Sequence, residues 1–108
     1  MVMDNKSNHK ENKKMRMVMV CIRDAKADIF GRPFFTQSAG VAIRSFSDEV
    51  SREDKENTMY NHPEDYALYE VGLFDDQDGK IYPYDIPKLL IQADQIRIKD
   101  ALYKIAAV

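Results

Sequence analysis

The sequence predicts a small single-domain α+β fold: a β-α-β-β core with one helix packed on a short, mainly antiparallel sheet, plus a C-terminal helix. Three observations predict it. In residues 33–51 a turn, a cap and a helical apolar period all agree on one structure. Residues 15–22 are apolar on both alternating faces, as a strand inside a sheet is. Residues 66–74 and 81–84 flank Asp78-Gly79, a hairpin signal.

A chain of 108 residues holds one modest core, and 44% hydrophobic with 31% charged residues is ordinary for a soluble globular domain. No apolar run approaches the roughly 20 residues of a membrane span. Residues 1–14 are polar and charged, with no signal-peptide core, so neither secretion nor membrane insertion is expected. The single cysteine, Cys21, excludes an internal disulfide and a multi-cysteine zinc site. Its place in an apolar run makes it a buried structural thiol of a reducing cytoplasm.

Along the chain, residues 1–14 lack apolar periodicity and read as a disordered tail, or as a mis-annotated start ahead of Met15 or Met17. Residues 15–108 form the domain. Val18, Val20 and Ile22 line one side of the first strand; Met17, Met19 and Cys21 line the other. Residues 23–32 read as a loop ending at Gly31 and Pro33. Phe34 and Phe35 precede the helix, where one of them staples its first turn. Ser38 is the N-cap, and Ala39, Ala42, Ile43, Phe46 and Val50 share the buried face. Arg44 and Asp48 stand at i, i+4 on the wet face.

Residues 52–61 are charged and aperiodic, a loop. His62-Pro63 then stops any helix and leads into the second strand. Strict alternation puts Ala67, Tyr69, Val71 and Leu73 on one face, and Tyr66, Leu68, Glu70, Gly72 and Phe74 on the other. Gly72 within a strand marks a bulge or a close backbone approach. Asp78 and Gly79 are the positive-φ positions of the next turn, and Pro83 makes the returning strand an edge. Residues 87–108 read as a helix capped by Asp85, although the alternation over residues 95–99 equally suits a strand.

Chemistry is sparse. The histidines are His9, in the tail, and His62, before a proline, so no catalytic constellation is expected. Asp76 and Asp78 match two positions of a calcium loop, but Phe74 falls at the first ligand position and Asp85 replaces the bidentate Glu. The scattered glycines form no phosphate loop. The net charge of −2 argues against a wholesale nucleic-acid coat. Basic residues nevertheless outnumber acidic ones through Arg44, and residues 48–85 turn acidic. A basic front half suits phosphate contact, and a mixed solvated surface accounts for the same distribution.

Several stretches occur in a recognisable order. They are Arg23-Asp24-Ala25-Lys26-Ala27, Pro33-Phe34-Phe35, Ala42-Ile43-Arg44-Ser45-Phe46, His62-Pro63-Glu64-Asp65-Tyr66, Leu68-Tyr69-Glu70-Val71-Gly72 and Phe74-Asp75-Asp76. Together with residues 15–22 they resemble the small nonstructural DNA-binding proteins of gokushovirus-like microviruses, phages with single-stranded DNA genomes. Two departures stand out: residues 1–14 are extra, and Val41 replaces the Glu that in relatives often completes a capping box with Ser38.

The resemblance implies a non-enzymatic role in single-strand genome synthesis and packaging, in the host cytoplasm. The implied partners are viral DNA, single-stranded or replicative, and replication or procapsid proteins. It carries over no catalytic residue, and no cofactor or metal is expected. Arg23, Lys26, Arg32 and Arg44 are the expected phosphate contacts, and Phe34 or Phe35, where exposed, stacks on bases. The alternative is a protein-interaction module without DNA contact, motivated by the acidic stretch. A metal-dependent nuclease using Asp75, Asp76 and Asp78 is the remotest reading.

Overall fold

A computed structural model describes residues 16–107, with side chains through residue 106. The expected tail or alternative start over residues 1–14 lies outside the described residues. The fold class is the expected one: a small α+β domain with an antiparallel five-stranded sheet. The strands are β1 (Arg16–Asp24), β2 (Ile29–Phe30), β3 (Phe34–Thr36), β4 (Tyr66–Asp75) and β5 (Lys80–Gln92). Helix α1 (Ala39–Ser51) follows β3, the short α2 (Thr58–Asn61) and a 3-10 turn (Pro63–Asp65) precede β4, and α3 (Ala93–Ala107) follows β5.

The order β2-β1-β4-β5, with β3 also on the outer edge of β1, places β1 inside the sheet. That is why both of its faces are apolar. Helix α1 starts at Ser38, whose hydroxyl accepts from the Val41 amide at 3.2 Å. Ala42, Phe46 and Val50 point from it into the sheet and meet Val20, Leu68, Ala93 and Ile96 in one core. Phe46, Leu68, Val20 and Val50 are the largest side chains fully withdrawn from water. Each contributes about 1.5–3 kcal/mol of transfer free energy relative to an exposed side chain. The hidden parity of β1 is the even one, with Val18 and Ile22 packed against this core.

Several expectations are corrected. Residues 29–30 are a strand and not loop, because Asp28 adopts φ 60° and folds Ile29 and Phe30 back on Asp24 and Arg23. Phe34 and Phe35 are not a helix staple but part of β3, paired with Val20 and Met19. Within residues 52–61, Asn57 caps the turn α2, and its amide nitrogen donates to the Glu49 and Arg52 carbonyls at 2.8 and 2.9 Å. A buried side chain that ties off the end of α1 leaves no apolar period to read. Residues 87–92 are strand, not helix: Ile91 and Leu89 pair with Leu68 and Tyr69, and pairing on β4 overrides the local helical spacing. At the hairpin, Gly79 alone of the Asp78-Gly79 pair has positive φ, at 73°.

The close approach expected at Gly72 is present. A Cβ there would stand 2.7 Å from the Tyr82 carbonyl oxygen and 3.0 Å from the Pro83 Cα. Just before it, the pairing of β4 with β1 steps from Val20↔Glu70 to Met19↔Gly72, so Val71 is an extra residue. A bulge of one residue exchanges the faces beyond it. The strict alternation expected for β4 therefore fails at Val71, with consequences for the site.

Candidate nucleic-acid interface

Both long helices cover the even face of β1, and among the described residues the odd face carries none. Period-2 geometry sends Met17, Met19, Cys21 and Arg23 to that open face. Their partners share it: Phe74 opposite Met17, Phe35 opposite Met19, Tyr69 opposite Cys21 and Phe30 opposite Arg23. On β5, Leu89 lies beside Tyr69 and Ile81 beside Phe74. The Val71 bulge brings Tyr69 and Phe74 to one side; without it they would face opposite ways.

The aromatic rings form two pairs. Phe30 meets Tyr69 edge to face, centroids 5.3 Å apart at 72°, and Phe35 meets Phe74 at 5.3 Å and 53°. Phe30 and Phe35 each keep 43% of their surface in water. Centre to centre, the pairs fall about four β1 residues apart, roughly 13 Å along the strand at about 3.3 Å per residue. Between them lie Met19 and Cys21. Burial pushes the Cys21 thiol up, which makes it a poor nucleophile.

The cations divide. Arg23 lies over the Phe30 ring at 5.6 Å and hydrogen-bonds the exposed Asp28 carboxylate. A cleft of about 110 Å³ beside it is lined by Arg23, Tyr69 and Gln92 together with the acidic Glu64 and Asp65. Lys26 is exposed in the β1–β2 turn, which is held by the Asp24 carboxylate accepting from the Lys26 and Ala27 amides at 3.0 and 3.2 Å. Arg32 is exposed just after Gly31, whose amide donates to the Ile22 carbonyl at 2.7 Å. These residues ring the outer edge of the sheet. Arg44 is exposed on α1, in the layer on the other side of the sheet from Arg23.

The two expected aromatic contacts part as well. Phe35 is on the open face. Phe34 pairs with Val20 on the helix side, packs against the core, and lines a groove of about 700 Å³ with Ile22, Ser45, Asp48, Glu49 and Arg52. Arg23, Lys26, Arg32 and Phe35 are thus gathered at one face and edge, while Arg44 and Phe34 are not. Sequence reasoning missed Phe30, Tyr69 and Phe74. Phe30 was hidden by an unrecognised two-residue strand. The other two were separated by an alternation that ignored the bulge.

The acidic hairpin is occupied with its own turn. Asp75 accepts from the Gln77 amide at 3.0 Å, and Asp78 from the Lys80 amide at 2.8 Å and the Tyr82 hydroxyl at 3.3 Å. Among the described residues no cluster of His, Cys, Asp or Glu has the arrangement of a metal site. No described helix is long and apolar enough to cross a membrane.

Comparison with known proteins bears on the whole of this sheet. Protein ORF5 of Chlamydia phage 1 is 36% identical over 73 residues, 66% of this chain and 76% of that protein. No solved structure matches. The model of the Phage ORF5 protein family matches residues 17–96, from β1 through the first turn of α3, and the chain belongs to that family.

Proposed function

We propose that this phage protein is a non-enzymatic nonstructural protein that binds single-stranded viral DNA on the open sheet face during genome synthesis and packaging. One observation carries the reading: two aromatic pairs, each with one exposed ring (Phe30, Phe35) on a half-buried one (Tyr69, Phe74), share the open sheet face, with Arg23 on it and Lys26 and Arg32 at its edge. Every base has a π-face, so stacking on Phe30, Phe35, Tyr69 and Phe74 tolerates any sequence. The cations supply the salt-dependent part of the affinity. The strand follows the sheet, because duplex bases offer no exposed faces to stack. Phe34 and Arg44, on the helix side, drop out of the contact set.

The test is binding of labelled single strands and duplexes across a salt series. Affinity for single strands that falls as salt rises, exceeds that for duplex, and drops on Phe35→Ala supports the reading. Undetectable or salt-independent binding removes it.

A second reading, a protein-interaction module contacting replication or procapsid proteins, rests on the groove beside α1. There Asp48 and Glu49 rim an apolar floor of Ile22, Phe34 and Phe46. Nuclease treatment of a pull-down from infected cells discriminates: recovery of the replication machinery survives nuclease only under this second reading.

A further inference from the structure

Arg23 stands on the open face with its charge already answered, by a side chain for which the turn has no other use. The β1–β2 turn takes a left-handed residue, and Asp28 supplies it at φ 60°. Gly adopts that angle freely and Asn does so as well as Asp, so the backbone does not call for a carboxylate there. The turn is tied instead by Asp24, which accepts from the Lys26 and Ala27 amides. The Asp28 side chain is 84% exposed, and its carboxylate is bonded to the Arg23 guanidinium and to no other described group. Glu64 and Asp65 line the cleft beside Arg23, but its ion-pair partner is Asp28.

We infer that Asp28 stands in for a backbone phosphate of the bound strand: its carboxylate holds Arg23 in the free protein, and a phosphate oxygen replaces it when a base stacks on Phe30. The inference rests on the single-strand reading above and names a residue that sets the affinity of that site. The Arg23 guanidinium lies 5.6 Å from the centroid of the Phe30 ring, which keeps 43% of its surface in water. A base stacked on the exposed part of that ring brings its own phosphate to the same guanidinium. Carboxylate and phosphate take a guanidinium through the same kind of N–H···O bond, so the two compete.

The exchange is feasible because an ion pair in water is held weakly, while the stacked base delivers the phosphate already tethered. It still has a cost. The displaced Asp28 keeps its negative charge close to the phosphate that replaced it. Two like unit charges about 4 Å apart in water oppose each other by roughly the equivalent of a fivefold change in affinity. The charge count has a second consequence. Affinity for a single strand falls with salt at a log–log slope of about −0.7 for each phosphate neutralised. With Asp28 present, Arg23 trades one anion for another and releases few counterions. Without Asp28, it counts as a full phosphate contact.

Fluorescence anisotropy of a labelled single-stranded oligonucleotide with the full chain, across a salt series, tests the inference. Asp28→Asn is expected to bind about three- to fivefold tighter at low salt, with a slope steeper by up to about 0.7. Asp28→Gly, which suits the same turn, is expected to reproduce the gain. In an Arg23→Ala background, Asp28→Asn is expected to lose most of it, because Asp28 acts through Arg23. A wild-type chain that binds while both Asp28 variants bind no tighter, or more weakly, overturns this inference and leaves the single-strand reading standing. So does a gain undiminished without Arg23, which would reflect the lost charge alone. A wild-type chain without salt-dependent binding overturns both.

Discussion

Phe35 on β3 and Phe74 on β4 belong to strands that never pair with each other, yet their rings meet at 5.3 Å across β1. The contact exists because β1 lies between the two strands and the Val71 bulge turns Phe74 to the side of Phe35. One extra residue thus assembles an aromatic platform from three separate strands.

If that platform stacks bases, truncating it weakens binding without unfolding the domain. Phe35→Ala is expected to cost about 1–3 kcal/mol of single-strand affinity, a loss of about five- to 150-fold. The salt dependence should be unchanged, since no phosphate contact is removed. Fluorescence anisotropy with a labelled oligonucleotide measures both. Arg44→Ala, on the helix layer, should leave the affinity as it is.

Gly72 is required for space rather than for its dihedral angle. A methyl group there would press on the Tyr82 carbonyl oxygen and the Pro83 Cα, both backbone atoms that cannot rotate away. Gly72→Ala is therefore expected to destabilise the domain by about 1–3 kcal/mol, the ordinary range for overpacking. Urea denaturation followed by circular dichroism reads this as a lower midpoint at constant slope.

Much of this architecture was legible in the residues, and the failures have physical causes. The α1 face and its Ser38 cap were readable because they are local, fixed by spacing within a few residues. So was the interior position of β1, since a strand apolar on both faces has few other places to go. What was not legible depends on partners distant in sequence. Residues 89–91 resemble a helix until β4 is beside them, and residues 29–30 are too short to show a period. The site suffered most. Alternation assigned Tyr69 and Phe74 to opposite faces, and no local signal distinguishes Val71 as the residue that slips. The cations were correctly seen as abundant near the N-terminal strands, but Arg44 lies in a different layer from Arg23.

Ser38 caps α1 with a single hydrogen bond to the Val41 amide, and Val41 has no carboxylate with which to return it. The cap is thus half of a capping box. Ser38→Ala is expected to cost about 1 kcal/mol. Val41→Glu should add stability, because Val41 is 42% exposed and a carboxylate in the first turn, which has no acidic residue, also suits the helix dipole. Thermal melts of the two variants should shift in opposite directions.

The last prediction concerns pH. Glu70 is buried at 7% exposure in the middle of β4, and the Tyr84 hydroxyl donates a hydrogen bond to it. That bond anchors the irregular part of β5, where residues 84–87 stand against Val71 alone, between the pairs Gly72↔Pro83 and Glu70↔Lys88. Burial first, and then the Glu70 carboxyl group, push the Tyr84 phenol up to about 12 from 10.0. The folded chain therefore holds this proton more tightly than the unfolded chain does. Stability from the group is complete below about pH 10 and declines as pH rises from about 10 towards about 12. Tyr84→Phe removes the donor and leaves a buried carboxyl group without it, at an expected cost of about 1–3 kcal/mol near neutral pH. In that variant the part of the alkaline decline due to Tyr84 should vanish. Denaturation midpoints measured at a series of alkaline pH values, paired with tyrosinate absorbance, check both statements. Wild-type protein should show a late phenol titration that is missing from Tyr84→Phe and reverts to the ordinary range in denaturant. A variant that keeps that late step would assign it to one of the other tyrosines and remove Tyr84 as the anchor of β5.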